Sequence, residues 1–198
     1  MGVEYELKYS ATEAQQDMLL SLADQWQTIA METTYYDTPT LALSAVRFTL
    51  RRRLENGVSI CTVKTPAQGN CRGEWETQCD DILSAIPVLC KLGAPKELEE
   101  ITTDGVIAIC GARFQRRAAQ ITHGSSVLEI ALDHGQLFSG SHSIPLCEVE
   151  VELKSGDPAD ATAFAGAIAS RCGLQAEAAS KFRRALNLYK EGQTHGTA

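Results

Sequence analysis

No apolar run in this chain is long enough to cross a membrane, and its first residues hold no signal-peptide core. The opening MGVEYE also lacks the Ser or Thr of a myristoylation signal. A membrane is therefore not expected as a partner. Basic charge is in deficit as well: 18 Lys and Arg stand against 25 Asp and Glu, a formal net charge of -7. A field of that sign gives no sequence-independent hold on nucleic acid, so any anion site has to be local. The seven cysteines are odd in number, scattered and never spaced C-x-x-C, which suits a reducing cytoplasm rather than a disulfide framework or a zinc site. There is no internal repeat, low-complexity linker or shift in composition to divide the 198 residues. One domain over 1–190 is expected, with a flexible polar tail over 191–198.

What is present is a series of short alternating segments with helical patterns between them. Thr12 can cap a helix reaching Trp26, with Met18, Leu19, Leu22, Ala23 and Trp26 as its apolar stripe. Residues 46–64 predict two strands joined at Asn56-Gly57, a strong hairpin pair. Residues 81–92 predict a helix, and two further strand pairs are expected around 106–122 and 127–153. Asp157 and Pro158 open a helix that stops at Gly173, and another is expected over 178–190.

The alternating segments share one peculiarity. In VEYELKY, Glu4, Glu6 and Lys8 occupy one face and Val3, Tyr5, Leu7 and Tyr9 the other; in CEVEVELK, Glu148, Glu150, Glu152 and Lys154 oppose Cys147, Val149, Val151 and Leu153. Arg51 and Arg53 oppose Leu50, Lys64 shares a face with Thr62, Arg72 aligns with Glu74 and Glu76, and Glu129 with Asp133. A wet outer sheet face would explain any one of these. Whole strands of one charge sign repel themselves, however, and call for counter-charge. A closed barrel with its charged faces inward and helices over its apolar faces meets that need. Its interior would suit a polyanion with a divalent metal, carboxylates holding Mg²⁺ or Mn²⁺ and Arg and Lys holding phosphate oxygens.

These residues resemble the CYTH domain, the triphosphate tunnel metalloenzyme superfamily. The resemblance starts at Glu4-x-Glu6-x-Lys8 and continues in order through Tyr35-Tyr36-Asp37-Thr38-Pro39, Leu50-Arg51-Arg52-Arg53, Lys64, Arg72-x-Glu74, Arg116, Glu129 to Asp133, Cys147 to Leu153 and Ser180-Lys181-x-x-Arg184. It implies an α+β fold built on an eight-stranded antiparallel closed tunnel with peripheral helices. It implies Glu4, Glu6, Glu148 and Glu150 as metal ligands, with Glu152 and Asp133 as further contributors. Lys8, Arg51, Arg53, Lys64, Arg116 and Lys181, with Arg72 and Arg184, would grip the triphosphate. Tyr35 corresponds to a tyrosine that in relatives stands beside the lysine of the first motif, so Lys8 and Tyr35 are the candidate catalytic pair.

The implied reaction is attack of water on a terminal phosphoryl group. The sequence is most similar to the bacterial inorganic triphosphatase branch, which converts tripolyphosphate to pyrophosphate and phosphate. The helical CHAD domain often found after the domain in that branch is not expected here. Thiamine triphosphatase is the first alternative. Class IV adenylate cyclase is a weaker one, because the His-Phe that precedes its first motif is absent. A non-catalytic polyphosphate or nucleotide sensor is the alternative from another class, against which the full carboxylate set argues. A monomer and a homodimer are equally compatible with the sequence.

Overall fold

A computed structural model describes residues 5–66 and 73–195. Chain order is β1 (Glu6–Ser10), α1 (Glu13–Leu19), β2 (Gln27–Asp37), α2 (Ala42–Ala45), β3 (Thr49–Glu55), β4 (Val58–Lys64), β5 (Glu74–Gln78), α3 (Ile82–Lys91), α4 (Glu97–Ile101), β6 (Ile107–His123), β7 (Ser126–Ser139), β8 (His142–Ser155), α5 (Pro158–Cys172), β9 (Gln175–Ala176) and α6 (Lys181–His195). Among the described residues no helix is long and apolar enough to cross a membrane.

Local chemistry accounts for most of the boundaries. The Gln15 N–H donates to Thr12 Oγ1 at 3.3 Å and the Thr12 N–H donates to Gln15 Oε1 at 2.8 Å, a capping box that starts α1. The helix does not reach Trp26 as expected: a 3-10 turn at Leu20–Leu22 follows, and Trp26 Nε1–H donates back to the Leu20 carbonyl at 3.0 Å, folding the chain over instead of prolonging it. Asn56 and Gly57 both take positive φ, 48° and 87°, and close the β3–β4 hairpin as the sequence predicts. The Asp37 carboxylate accepts from the backbone N–H of Thr38, Leu43 and Ser44 at 2.8, 2.8 and 2.9 Å, so it ends β2 and fixes the loop into α2.

Residues 107–123 form one 17-residue strand, not the expected pair. Gly111, which looks like a turn residue, lies in mid-strand where a Cβ would meet the Phe138 ring at 2.4 Å; it is there for packing. α6 runs to His195, well into the segment 191–198 expected to be a flexible tail.

The strands form a nine-stranded sheet in the order β5-β4-β3-β2-β6-β7-β8-β1-β9, antiparallel at every printed ladder. The expected closed eight-stranded barrel is not what the hydrogen bonds make: among the described residues the ladder has two edges, β5 and β9. The reason lies at β1, whose outer side pairs with β9 through Tyr9↔Ala176 and Ser10↔Gln175 and so is not open to β5. The sheet is nonetheless rolled. Residues from β1 to β8 line one cavity of about 760 Å³.

The convex face carries two apolar clusters. One holds α1 and α5 against Ile130, Leu132, Val149 and Val151, and the other holds α2, α3 and α4 against Leu50, Cys61 and Val63. The third cluster is on the concave side, where Ala185, Leu186 and Leu188 of α6 pack against Met31, Tyr35, Phe114, Leu137 and Leu146. α6 thus fills part of the trough, and the charged cavity is what it leaves.

Candidate active site

Period-two alternation sends the charged positions inward. Glu6, Lys8, Arg51, Arg53, Lys64, Glu74, Arg116, Glu129, Glu150, Glu152 and Lys181 all line the cavity. Glu4 and Arg72 lie outside the described residues.

The basic wall comes from β3, β4 and β6. Lys64 pairs with Glu74 at 3.1 Å, Arg51 with the same carboxylate at 3.5 Å, and Arg53 with Glu55 at 2.5 Å. The Nε atoms of Arg51 and Arg53 are nevertheless buried without a hydrogen-bond partner. Burial lowers the Arg53 pKa first and the neighbouring Arg51 charge lowers it further, so the cationic form of this guanidinium is under strain from its surroundings. Anionic oxygens between the two side chains would relieve both conditions.

The acidic wall comes from β1, β7 and β8. The register sets Glu6 opposite Glu152, Lys8 opposite Glu150, and Glu129 opposite Glu152. Lys154 bridges Glu152 at 2.7 Å and Glu129 at 3.3 Å. Deeper, oxygens of Asp133, Glu148 and Glu150 lie within 4.8 Å of one another, close enough to hold a metal ion. Protein cations already fill this trio. Lys181 Nζ lies 2.9 Å from Asp133, 2.5 Å from Glu148 and 2.5 Å from Glu150; Arg116 forks onto Asp133 with two bonds of 2.7 Å and reaches Glu150 at 2.5 Å; Arg184 pairs with Glu148.

These contacts set the ionisation. Burial pushes the Glu150 carboxyl up, but Lys181 and Arg116 together outweigh it and hold Glu150 well below the usual carboxylate range. In Glu148 burial prevails over Lys181, and its pKa is raised. Burial works against the charge on Lys181, yet Glu150, Asp133 and Glu148 raise its pKa well above an ordinary lysine. Tyr35 is raised too, by burial ahead of the opposing pull of Arg51 and Lys181, so its hydroxyl stays protonated. Its ring packs on Phe182 at 5.0 Å.

Three expected site residues stand apart from the cavity wall: Asp133 and Glu148 are fully buried behind it, and Arg184 faces Glu148 and Glu177. Phe114 and Phe182 line the cavity and were not anticipated. The only hint in the sequence was the two-residue spacing from Phe114 to Arg116.

The sequence profile of the CYTH domain matches residues 2–186. This chain belongs to the CYTH family. An inorganic triphosphatase from Haemophilus influenzae is 26% identical to it over 160 residues, 80% of this chain but 46% of that protein, so the chain spans about half the length of this relative. Among solved structures, a protein from Pyrococcus horikoshii superposes with a TM-score of 0.64 at 19% identity, covering 93% of this chain and 98% of that one. A Hippeastrum protein named an adenylyl cyclase, with a dominant triphosphatase activity, superposes with a TM-score of 0.59 at 17% identity, covering 97% and 96%. At such identities these likenesses concern the fold, and they support the CYTH tunnel architecture.

Proposed function

We propose that this CYTH protein is a divalent-metal-dependent hydrolase of a linear triphosphate, inorganic tripolyphosphate foremost. The observation that carries this reading is the buried pair Arg51 and Arg53, with unpartnered Nε atoms, facing a wall of carboxylates across one cavity. The relative from Haemophilus influenzae supports the same substrate. Binding a polyanion alone would need only the basic wall; the carboxylates opposite imply a second, cationic guest.

Oxygen donors on Glu6, Glu129, Glu150 and Glu152 are the ligand type that Mg²⁺ and Mn²⁺ prefer, and these four side chains, with Glu4, would hold the metal. When bound, it would supply Lewis-acid neutralisation of the phosphate oxygens. Arg51, Arg53, Lys64 and Arg116 orient the triphosphate and meet the charge that develops on its oxygens. Lys181 and the neutral Tyr35 hydroxyl donate from the α6 side. Water attacks the terminal phosphorus, a new P–O bond forms as the anhydride P–O bond breaks, and pyrophosphate leaves. Lys8, at the seam between the two walls, handles the proton that the water loses.

Phosphate release from tripolyphosphate, thiamine triphosphate and ATP, with Mg²⁺ or Mn²⁺, tests the reading on the intact chain and on Glu6→Gln. Metal-dependent phosphate release, fastest from tripolyphosphate and lost in Glu6→Gln, is expected. Binding of tripolyphosphate without turnover would make the protein a sensor, and cyclic AMP from ATP would make it a cyclase.

A further inference from the structure

Asp133 and Glu148 carry the family's acidic pattern, yet neither lines the cavity, whereas Glu6, Glu129, Glu150 and Glu152 do. Both are fully buried. Their charges are met from α6 and β6: Lys181 touches both, Arg116 forks onto Asp133, and Arg184 pairs with Glu148. A metal ion taking these carboxylates would have to displace an ammonium and two guanidinium groups and leave them buried without partners.

The strand backbone at the same two residues is braced from the other side of the sheet. The Gln16 amide of α1, 1% exposed, donates from Nε2 to the Asp133 carbonyl at 3.0 Å and to the Glu148 carbonyl at 2.8 Å. Gln16 thus ties β7 to β8 where Asp133 and Glu148 pair directly across the ladder. On the concave side the Phe114 ring lies under Lys181 Nζ at 5.5 Å and under the Arg116 guanidinium at 5.8 Å. Lys181 is therefore held by carboxylates on one side and an aromatic face on another, at the first residue of α6.

We infer that Asp133 and Glu148 are positioning residues that seat the first turn of α6 and hold Lys181 at the cavity wall, and that neither is a metal ligand. The role of Lys181 toward phosphate rests on the triphosphatase reading; the seating of α6 does not. Glu150 differs from the other two because it meets Lys181 and also faces the cavity.

The test uses Glu148→Gln in the full chain, with Asp133→Asn as a second variant should the first fail to fold. Mn²⁺ affinity, followed by electron paramagnetic resonance, should stay within about twofold of wild type in these variants and fall about tenfold or more in Glu6→Gln, since only the last removes a ligand. Amide exchange in the first two turns of α6 should quicken. Tripolyphosphate affinity should weaken about tenfold, the size of a coupling within one ion-pair network, and that loss should vanish when Lys181→Gln is already present. A fall in Mn²⁺ affinity equal to that of Glu6→Gln, or losses that add with Lys181→Gln, would overturn the inference. Failure of wild type to bind tripolyphosphate would instead refute the triphosphatase reading, leaving the Mn²⁺ and exchange measurements to decide the role of Asp133 and Glu148.

Discussion

Glu150 shows how single residues are tuned here. Burial would favour its neutral form, but Lys181 and Arg116, with Lys8 behind them, hold it ionised in acid. A carboxylate whose pKa is depressed by folding adds stability that is complete above the unfolded value, about 4.3, and is lost as pH falls toward the folded one. The difference in melting temperature between wild type and Glu150→Gln should therefore be constant from pH 7 to about pH 5 and shrink below that. Glu148 acts in the opposite sense: its raised pKa lets the folded chain take up a proton before the unfolded chain does, offsetting part of the acid loss. Cysteine chemistry is quiet for a related reason. Burial pushes the Cys61 thiol up to about 11 and Cys110 up to about 12, so both are protonated at neutral pH. Brief iodoacetamide treatment of the native protein, followed by peptide mass spectrometry, should leave these two unmodified.

At the scale of elements, α6 is the piece that decides the site. Removing the Lys181 charge with Lys181→Met leaves Glu148 and Asp133 short of a buried partner, a loss of about 3 kcal/mol for such pairs. For a chain of this size that lowers the melting temperature by roughly 6–12 °C, measurable by calorimetry. The strands were legible in the sequence because period-two alternation of charge and aliphatic groups is unambiguous, as in CEVEVELK and VEYELKY. The inward direction of the charged faces followed from the like-charge argument at Glu148, Glu150 and Glu152. The seat of α6 was not legible: Phe182, Ala185 and Leu186 give an apolar stripe that would suit either surface of a sheet. Sheet closure was equally hidden, since β9 is a two-residue strand with no pattern of its own. Nor does alternation separate a wall residue such as Glu150 from a buried one such as Glu148, because both share a face and differ only in depth.

The whole molecule is acidic outside and divided within. Its buried carboxylates already have protein partners, so folding does not wait for a metal. Chelation by EDTA should abolish phosphate release while leaving the far-ultraviolet circular dichroism and a cooperative melt in place, unlike a small zinc domain that unfolds on metal removal.

The sheet order makes the molecule a book. Its spine is the long β2·β6 ladder, which carries a register shift at Tyr35/Tyr36, a place where the strands bend. The page formed by β3 and β4 bears Arg51, Arg53 and Lys64; the page formed by β7, β8 and β1 bears Glu129, Glu150, Glu152 and Glu6. An anion alone satisfies the first page and repels the second, and a dication does the reverse. Each guest should therefore recruit the other by the same factor, so calorimetric titration with tripolyphosphate should give tighter binding with Mn²⁺ present, and the two should enter best as one preformed complex.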